Sequence, residues 1–134
     1  MLLKSFRMLR TLCLPNSGID HVSDSIGELI HLRFLDLSGN EKLEHLPISI
    51  CKLHHLMFFI LEGCVFLEKL PPKIERLVSL RQLYIKYCHG LDSLPPGLKA
   101  LTSLVNLDRV IVNRHIGGLG YLNKLDSLCG SVQI

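Results

Sequence analysis

Cysteine and histidine are the residues of this chain with the widest chemical repertoire, and four of them gather in one stretch. Cys51, His54, His55 and Cys64 lie within 14 residues, and both residue types bind zinc, one as thiolate and the other as imidazole. A cysteine beside a histidine can also form a nucleophile and its base, provided a third group orients the base. Cys64 and Cys88 are 24 residues apart, a spacing that a repeating fold could turn into adjacency and bring within reach of a disulfide. The five cysteines, Cys13, Cys51, Cys64, Cys88 and Cys129, are odd in number and show no paired framework. That usage suits a reducing compartment and reads as free thiols.

Which chemistry survives depends on the elements that place these side chains, and the chain repeats. Leu56, Leu67, Leu70, Pro71, Ile74 and Leu77 recur 24 residues later as Leu80, Leu91, Leu94, Pro95, Leu98 and Leu101. Subtracting 24 from Leu56 to Pro71 returns Leu32, Leu43, Leu46 and Pro47. A fixed period of this length marks a solenoid of stacked units, each too thin to bury its own apolar face. Repeats are expected to start near Leu9, Leu32, Leu56, Leu80 and Leu107 across a single repeat domain spanning residues 1–134, with a partial sixth strand near Val132. The first carries Val22-Ser23 where later ones carry Leu-Pro, and the fifth restarts at Leu107 because Arg109 falls on an inward position. A short apolar segment, Leu2, Leu3 and Phe6, covers the open end weakly. The chain as a whole is expected to be a piece of a larger protein.

Within one unit, the alternation in Leu35-Asp36-Leu37, Phe59-Ile60-Leu61 and Leu83-Tyr84-Ile85 marks a short strand with one side chain outward between two inward. Strands recurring at one phase lie parallel and side by side. After each proline, apolar residues come every three positions (Ile50, Leu53, Leu56; Ile74, Leu77, Leu80), which fits 3₁₀ or extended segments better than a long helix. Pro47, Pro71 and Pro95 lack a donor and end the ladder. Strands stack about 4.8 Å apart and the outer segments need more room. The expectation is therefore an α/β solenoid, a curved horseshoe segment with a parallel sheet on its concave face and short 3₁₀ or irregular segments on its convex face.

On this frame the candidate chemistry separates. Cys51, His54 and His55 sit on the outer connection and Cys64 turns inward after a strand, so neither a zinc site nor a Cys–His nucleophile assembles. Cys64 and Cys88 occupy the position of Asn40 and Ser17, where short polar side chains bond backbone groups of the turn. No catalytic residue, cofactor or metal is expected.

The totals narrow the function further. Hydrophobic residues make up 48% of the chain and charged ones 20%, which argues for folding and against disorder. The net charge of +3 is interspersed and indicates neither nucleic acid nor a membrane surface. Lys4, Arg7 and Arg10 interrupt any signal-peptide core, and the longest apolar run, residues 56–61, is too short to span a bilayer. No Asn-x-Ser/Thr sequon is present, and a cytoplasmic location is expected.

The residues resemble leucine-rich repeats, in particular those of plant intracellular disease-resistance receptors of the nucleotide-binding, leucine-rich-repeat class. The pattern L-x-x-L-x-L-x-x-Cys/Asn-x-x-L-x-x-L-P-x-x-I-x-x-L is met at residues 32–53 and 56–77, and at 80–101 with Leu98 for the isoleucine. The tail, with Val110-Ile111-Val112, Gly117-Gly118-Leu119-Gly120 and Leu128-Cys-Gly-Ser-Val-Gln-Ile, looks similar too. The resemblance implies a non-catalytic recognition or regulatory module of an immune receptor. The family's nucleotide switch needs a phosphate loop ending Gly-Lys-Ser/Thr, and the chain has none.

The concave positions are the candidate site. Phe34, Asp36 and Ser38, then Phe58, Ile60 and Glu62, then Gln82, Tyr84, Lys86 and Tyr87, then Arg109, Ile111 and Asn113 point away from the leucine interior. Aromatics beside charges resemble an interface centre with a polar rim. The expected partner is a protein: a pathogen effector, a host protein or another domain of the parent receptor. Nucleic acid and membrane insertion are not expected. Two other readings are a truncated fragment with little function of its own and a general intracellular signalling scaffold.

Overall fold

The computed structural model describes residues 6–107 of the chain. Five short strands, β1 (Thr11–Cys13), β2 (Phe34–Asp36), β3 (Phe58–Ile60), β4 (Gln82–Tyr84) and β5 (Asn106–Leu107), form one parallel sheet in chain order. The register follows the sequence period: Leu12 aligns with Leu35, Phe59, Leu83 and Leu107. All but Leu12 in that row are fully buried.

Each unit descends from its strand through a turn, crosses to the far side in a 3₁₀ segment and returns. The segments are Asp24–Glu28, Ile48–Lys52, Ile74–Arg76 and Pro96–Ala100. All four are nucleated alike: the carbonyls of Ser23, Pro47, Pro71 and Pro95 each accept the amide three residues on, at 3.1 Å. Apolar residues at every third position are inward-facing in a 3₁₀ path, because its three-residue turn brings them onto one side. Ile26, Ile50, Ile74 and Leu98 are accordingly buried together with Leu29, Leu53, Leu77 and Leu101.

The first repeat shows why its missing proline is tolerated. Ser23 adopts φ −61° and ψ 145°, close to the −68° and 147° of Pro47, and its hydroxyl accepts the Ser25 amide at 3.1 Å. A serine that caps by side chain does locally what the proline does by ring constraint.

One expectation needs correction. β5 pairs Gln82 with Asn106 and Leu83 with Leu107, so the 24-residue spacing is unbroken at Leu107, which stands at the fourth position of a unit beginning at Leu104. The fifth repeat was expected to open at Leu107. Ladder pairing to β4 decides the register here, because a shifted strand would put its buried row on the outer face. The partial sixth strand near Val132 lies outside the described residues.

Burial of each inward leucine contributes roughly 1.5–3 kcal/mol, and the core has no layer beneath it to compensate for a loss. Leu83→Ala is expected to cost about 2–5 kcal/mol and Leu83→Asp to abolish the folded circular-dichroism signal. Gln82→Asp, one residue away on the outer face, should leave the thermal midpoint nearly unchanged. Equal effects at the two positions would show the strand phase to be inverted.

Candidate protein-binding face

The sheet places the candidate residues in rows. Phe34, Phe58 and Gln82 form one row and Asp36, Ile60 and Tyr84 the next, each a direct consequence of strand register. All six are half-buried, which is what an outward side chain on a tightly stacked sheet attains against its row neighbours. The rings of Phe34 and Phe58 lie 6.0 Å apart at 41°, a tilted pair of the kind that adds to area burial. Ile60 extends this apolar patch towards Tyr84.

Beyond it the face turns polar. The Tyr84 hydroxyl bonds Gln82 Oε1, and Asn106 Nδ2 donates to the Tyr84 oxygen at 3.5 Å. Asn106 Oδ1 is covered yet has no hydrogen-bond partner. Asn106 was missed from the sequence, although adding 24 to Gln82 finds it; Arg109, taken in its place, lies outside the described residues with Ile111 and Asn113. Asp36 is partly committed to the fold, since its Oδ1 accepts the Ser38 amide at 2.9 Å. Glu62 and Lys86 are half-buried in the following turns.

Tyr87 departs from the pattern. The turn after each strand holds one residue in the left-handed region: Asn16 at φ 50°, Gly39 at 71°, Gly63 at 79° and Tyr87 at 64°. Glycine and asparagine visit that region readily, whereas a bulky side chain there costs of order 1–3 kcal/mol. The tyrosine is 52% exposed, and its ring meets Lys86 Nζ at 5.3 Å and the His89 ring at 6.2 Å. Little core packing offsets the strain.

The sulfur and nitrogen ligands of the sequence part company. Cys64 Sγ donates to the Leu37 carbonyl at 3.1 Å and Cys88 Sγ to that of Leu61 at 2.9 Å. One rung earlier Asn40 Nδ2 donates to Leu14 and Leu37 carbonyls at 2.9 and 2.8 Å, and its Oδ1 accepts the Ser17 and Ile19 amides. This is the expected turn ladder. Cys51 belongs to the outer connection but its side chain is buried against the core, while His54 and His55 are exposed. Burial pushes the thiols of Cys51 and Cys64 upward, for Cys64 against the opposing effect of the Asn40 backbone. Among the described residues no three His, Cys, Asp or Glu side chains gather as a metal site would require.

The fold and this face agree with comparisons to known proteins. A family model for the leucine-rich repeat region matches residues 1–133, and the chain belongs to that family. Over 42 residues it is 52% identical to a Solanum bulbocastanum protein named disease resistance protein RGA1. The matched stretch is 31% of this chain and 4% of that protein. Solved structures share the fold: the BIR2 ectodomain of Arabidopsis thaliana (TM-score 0.53, 22% identity, 75% of this chain and 58% of that one). An internalin of Listeria monocytogenes gives 0.51 at 14% identity, over 85% and 38%. No helix among the described residues is long and apolar enough to cross a membrane.

Two outcomes test the local geometry. Tyr87→Gly removes the left-handed strain, partly offset by the entropy glycine adds to the unfolded chain; a net gain of about 1 kcal/mol in urea unfolding is expected. A loss of stability would mean that the Tyr87 ring supports the fold. In alkylation followed by peptide mapping, exposed Cys13 should react in the folded chain, and buried Cys51, Cys64 and Cys88 only in denaturant. Rapid labelling of Cys64 without unfolding would contradict its place in the ladder.

Proposed function

We propose that this chain is the recognition part of a plant immune receptor, acting inside the cell as a non-catalytic module that binds a protein through its concave face. The observation that carries the reading is the adjacency of the Phe34–Phe58 pair and Ile60 to the polar group of Gln82, Tyr84 and Asn106. Such a centre and rim suit a protein surface, where a few desolvated aromatics supply most of the affinity. The face is open, whereas a cleft of about 380 Å³ lies at the turn edge between Lys69, Leu70, Pro72, Ser93, Leu94, Pro95 and Pro96, away from the candidate residues. Similarity to RGA1 over part of the chain supports the disease-resistance setting, in which the bound protein is a pathogen effector, a host protein or another domain of the same receptor.

Tyr87 fits this reading as an exposed anchor retained at a cost to stability, and Lys86 beside it keeps the ring's orientation. Phe58→Ala with Tyr84→Ala should weaken binding of a partner recovered with the wild-type chain by at least about tenfold, with an unchanged circular-dichroism spectrum. Unchanged affinity in calorimetry would remove the concave face from consideration.

A further inference from the structure

Charge is divided across the stack. Each unit enters its strand through a stretch that contains no aspartate or glutamate: residues 6–11, 29–34, 53–58, 77–82 and 101–106. The same stretches carry Arg7, Arg10, His31, Arg33, His54, His55 and Arg81. Carboxylates lie elsewhere, on the turns after the strands or on the convex side. The nearest, Glu28, is 3.8 Å from Arg7.

Three of the arginines are in one column. The Arg10 carbonyl accepts the amides of Arg33 and Phe34, the Arg33 carbonyl those of Met57 and Phe58, and the Met57 carbonyl those of Arg81 and Gln82. These bonds fix Arg10, Arg33, Met57 and Arg81 on successive rungs, about 4.8 Å apart. All three arginines are exposed, and none has a carboxylate within salt-bridge distance among the described residues. Beside them Met8, Ile30 and Val78 are 71%, 51% and 61% exposed. The edge is therefore cationic with apolar side chains between the charges.

We infer that this edge binds an acidic segment of a protein partner, one in which carboxylates alternate with apolar residues. The inference rests on the reading of the chain as a protein-binding module and adds the chemistry of what it binds. An extended segment presents same-side residues about every 7 Å, between the one-rung and two-rung separations of the arginines, a mismatch that long guanidinium side chains absorb. Guanidinium groups bind carboxylates through paired donors, and three uncompensated ones on a single edge steer an acidic chain along it. A contact here lies alongside the row of Phe34 and Phe58, so one partner can occupy both.

The test uses the 134-residue chain and a fluorescein-labelled synthetic peptide of glutamate alternating with leucine and serine, followed by anisotropy. The wild type should bind, more weakly as salt rises to about 0.3 M. Arg10→Glu/Arg33→Glu/Arg81→Glu should lose at least about tenfold in affinity, with Arg33→Gln/Arg81→Gln losing part of it without adding acids. Lys42→Glu/Lys69→Glu/Lys73→Glu, with the same change in net charge, should bind as the wild type does. No binding by the wild type, binding unaffected by both arginine variants, or equal loss in the lysine variant overturns the inference. Tighter, arginine-dependent binding of a single-stranded RNA of the same length overturns the assignment of the partner as protein. Peptide binding lost in Phe58→Ala/Tyr84→Ala but kept in the arginine variants would overturn the arginine edge and leave the concave reading intact. The reverse pattern, with natural-partner affinity indifferent to Phe58 and Tyr84, removes the concave reading and leaves the arginine edge.

Discussion

Parallel strands of two or three residues cannot hold together by their own ladder, and the hydrogen bonds of this sheet continue past the strand ends on both sides. Before each strand a single carbonyl accepts two amides of the next unit; after it, Leu37, Gly39, Leu61 and Gly63 donate to the carbonyls of the following rung. Backbone groups in a turn this enclosed must be paired somewhere, and the neighbouring unit is the only polar surface at hand. From that requirement follow the fixed 24-residue length, the left-handed turn residue that lets the chain peel away, and the ladder of Asn40, Cys64 and Cys88 that satisfies the carbonyls left over.

The leucines are the other half of the same constraint. Each unit is one layer thick, so an inward side chain packs against the unit before and the unit after, with no deeper core to fall back on. The 3₁₀ segments serve this geometry. They keep the far side nearly as short as the strand side, and Gly27 and Gly90 show how close the layers come: a methyl group at either would approach backbone atoms of the next unit at 2.8 and 2.6 Å.

Much of this was legible in the residues. The period, the parallel order, the inward and outward alternation and the 3₁₀ path all follow from leucine and proline spacing, and the ladder role of Cys64 and Cys88 from their alignment with Asn40. Register at the last described strand was less legible, because Arg109 on a nominally inward position argued for a slip that pairing with β4 does not show at Leu107. Burial of Cys51 was missed since its neighbours His54 and His55 are exposed, and only the exact phase of a 3₁₀ turn tells such residues apart. The strain at Tyr87 had a visible signal, the column of Asn16, Gly39 and Gly63, but a tyrosine on an interface list draws attention to its ring before its backbone. Within the candidate face, the rows followed from register, whereas the internal bonds of Asp36, Gln82 and Tyr84 depend on side-chain rotamers that spacing does not specify.

The doubly accepting carbonyls of Arg10, Arg33, Met57 and Arg81 have a consequence for how such a chain can change over generations. The rungs close through peptide groups alone, so the side chain at that position is indifferent to the closure; arginine and methionine alternate there without altering it. A gene duplication that copies one unit in frame inserts a complete rung, already able to pair on both sides, and lengthens the exposed lattice by one row. Mutation can then diversify that row while the main chain keeps the register. Architecture and recognition are inherited through different atoms, which lets one vary quickly while the other is preserved.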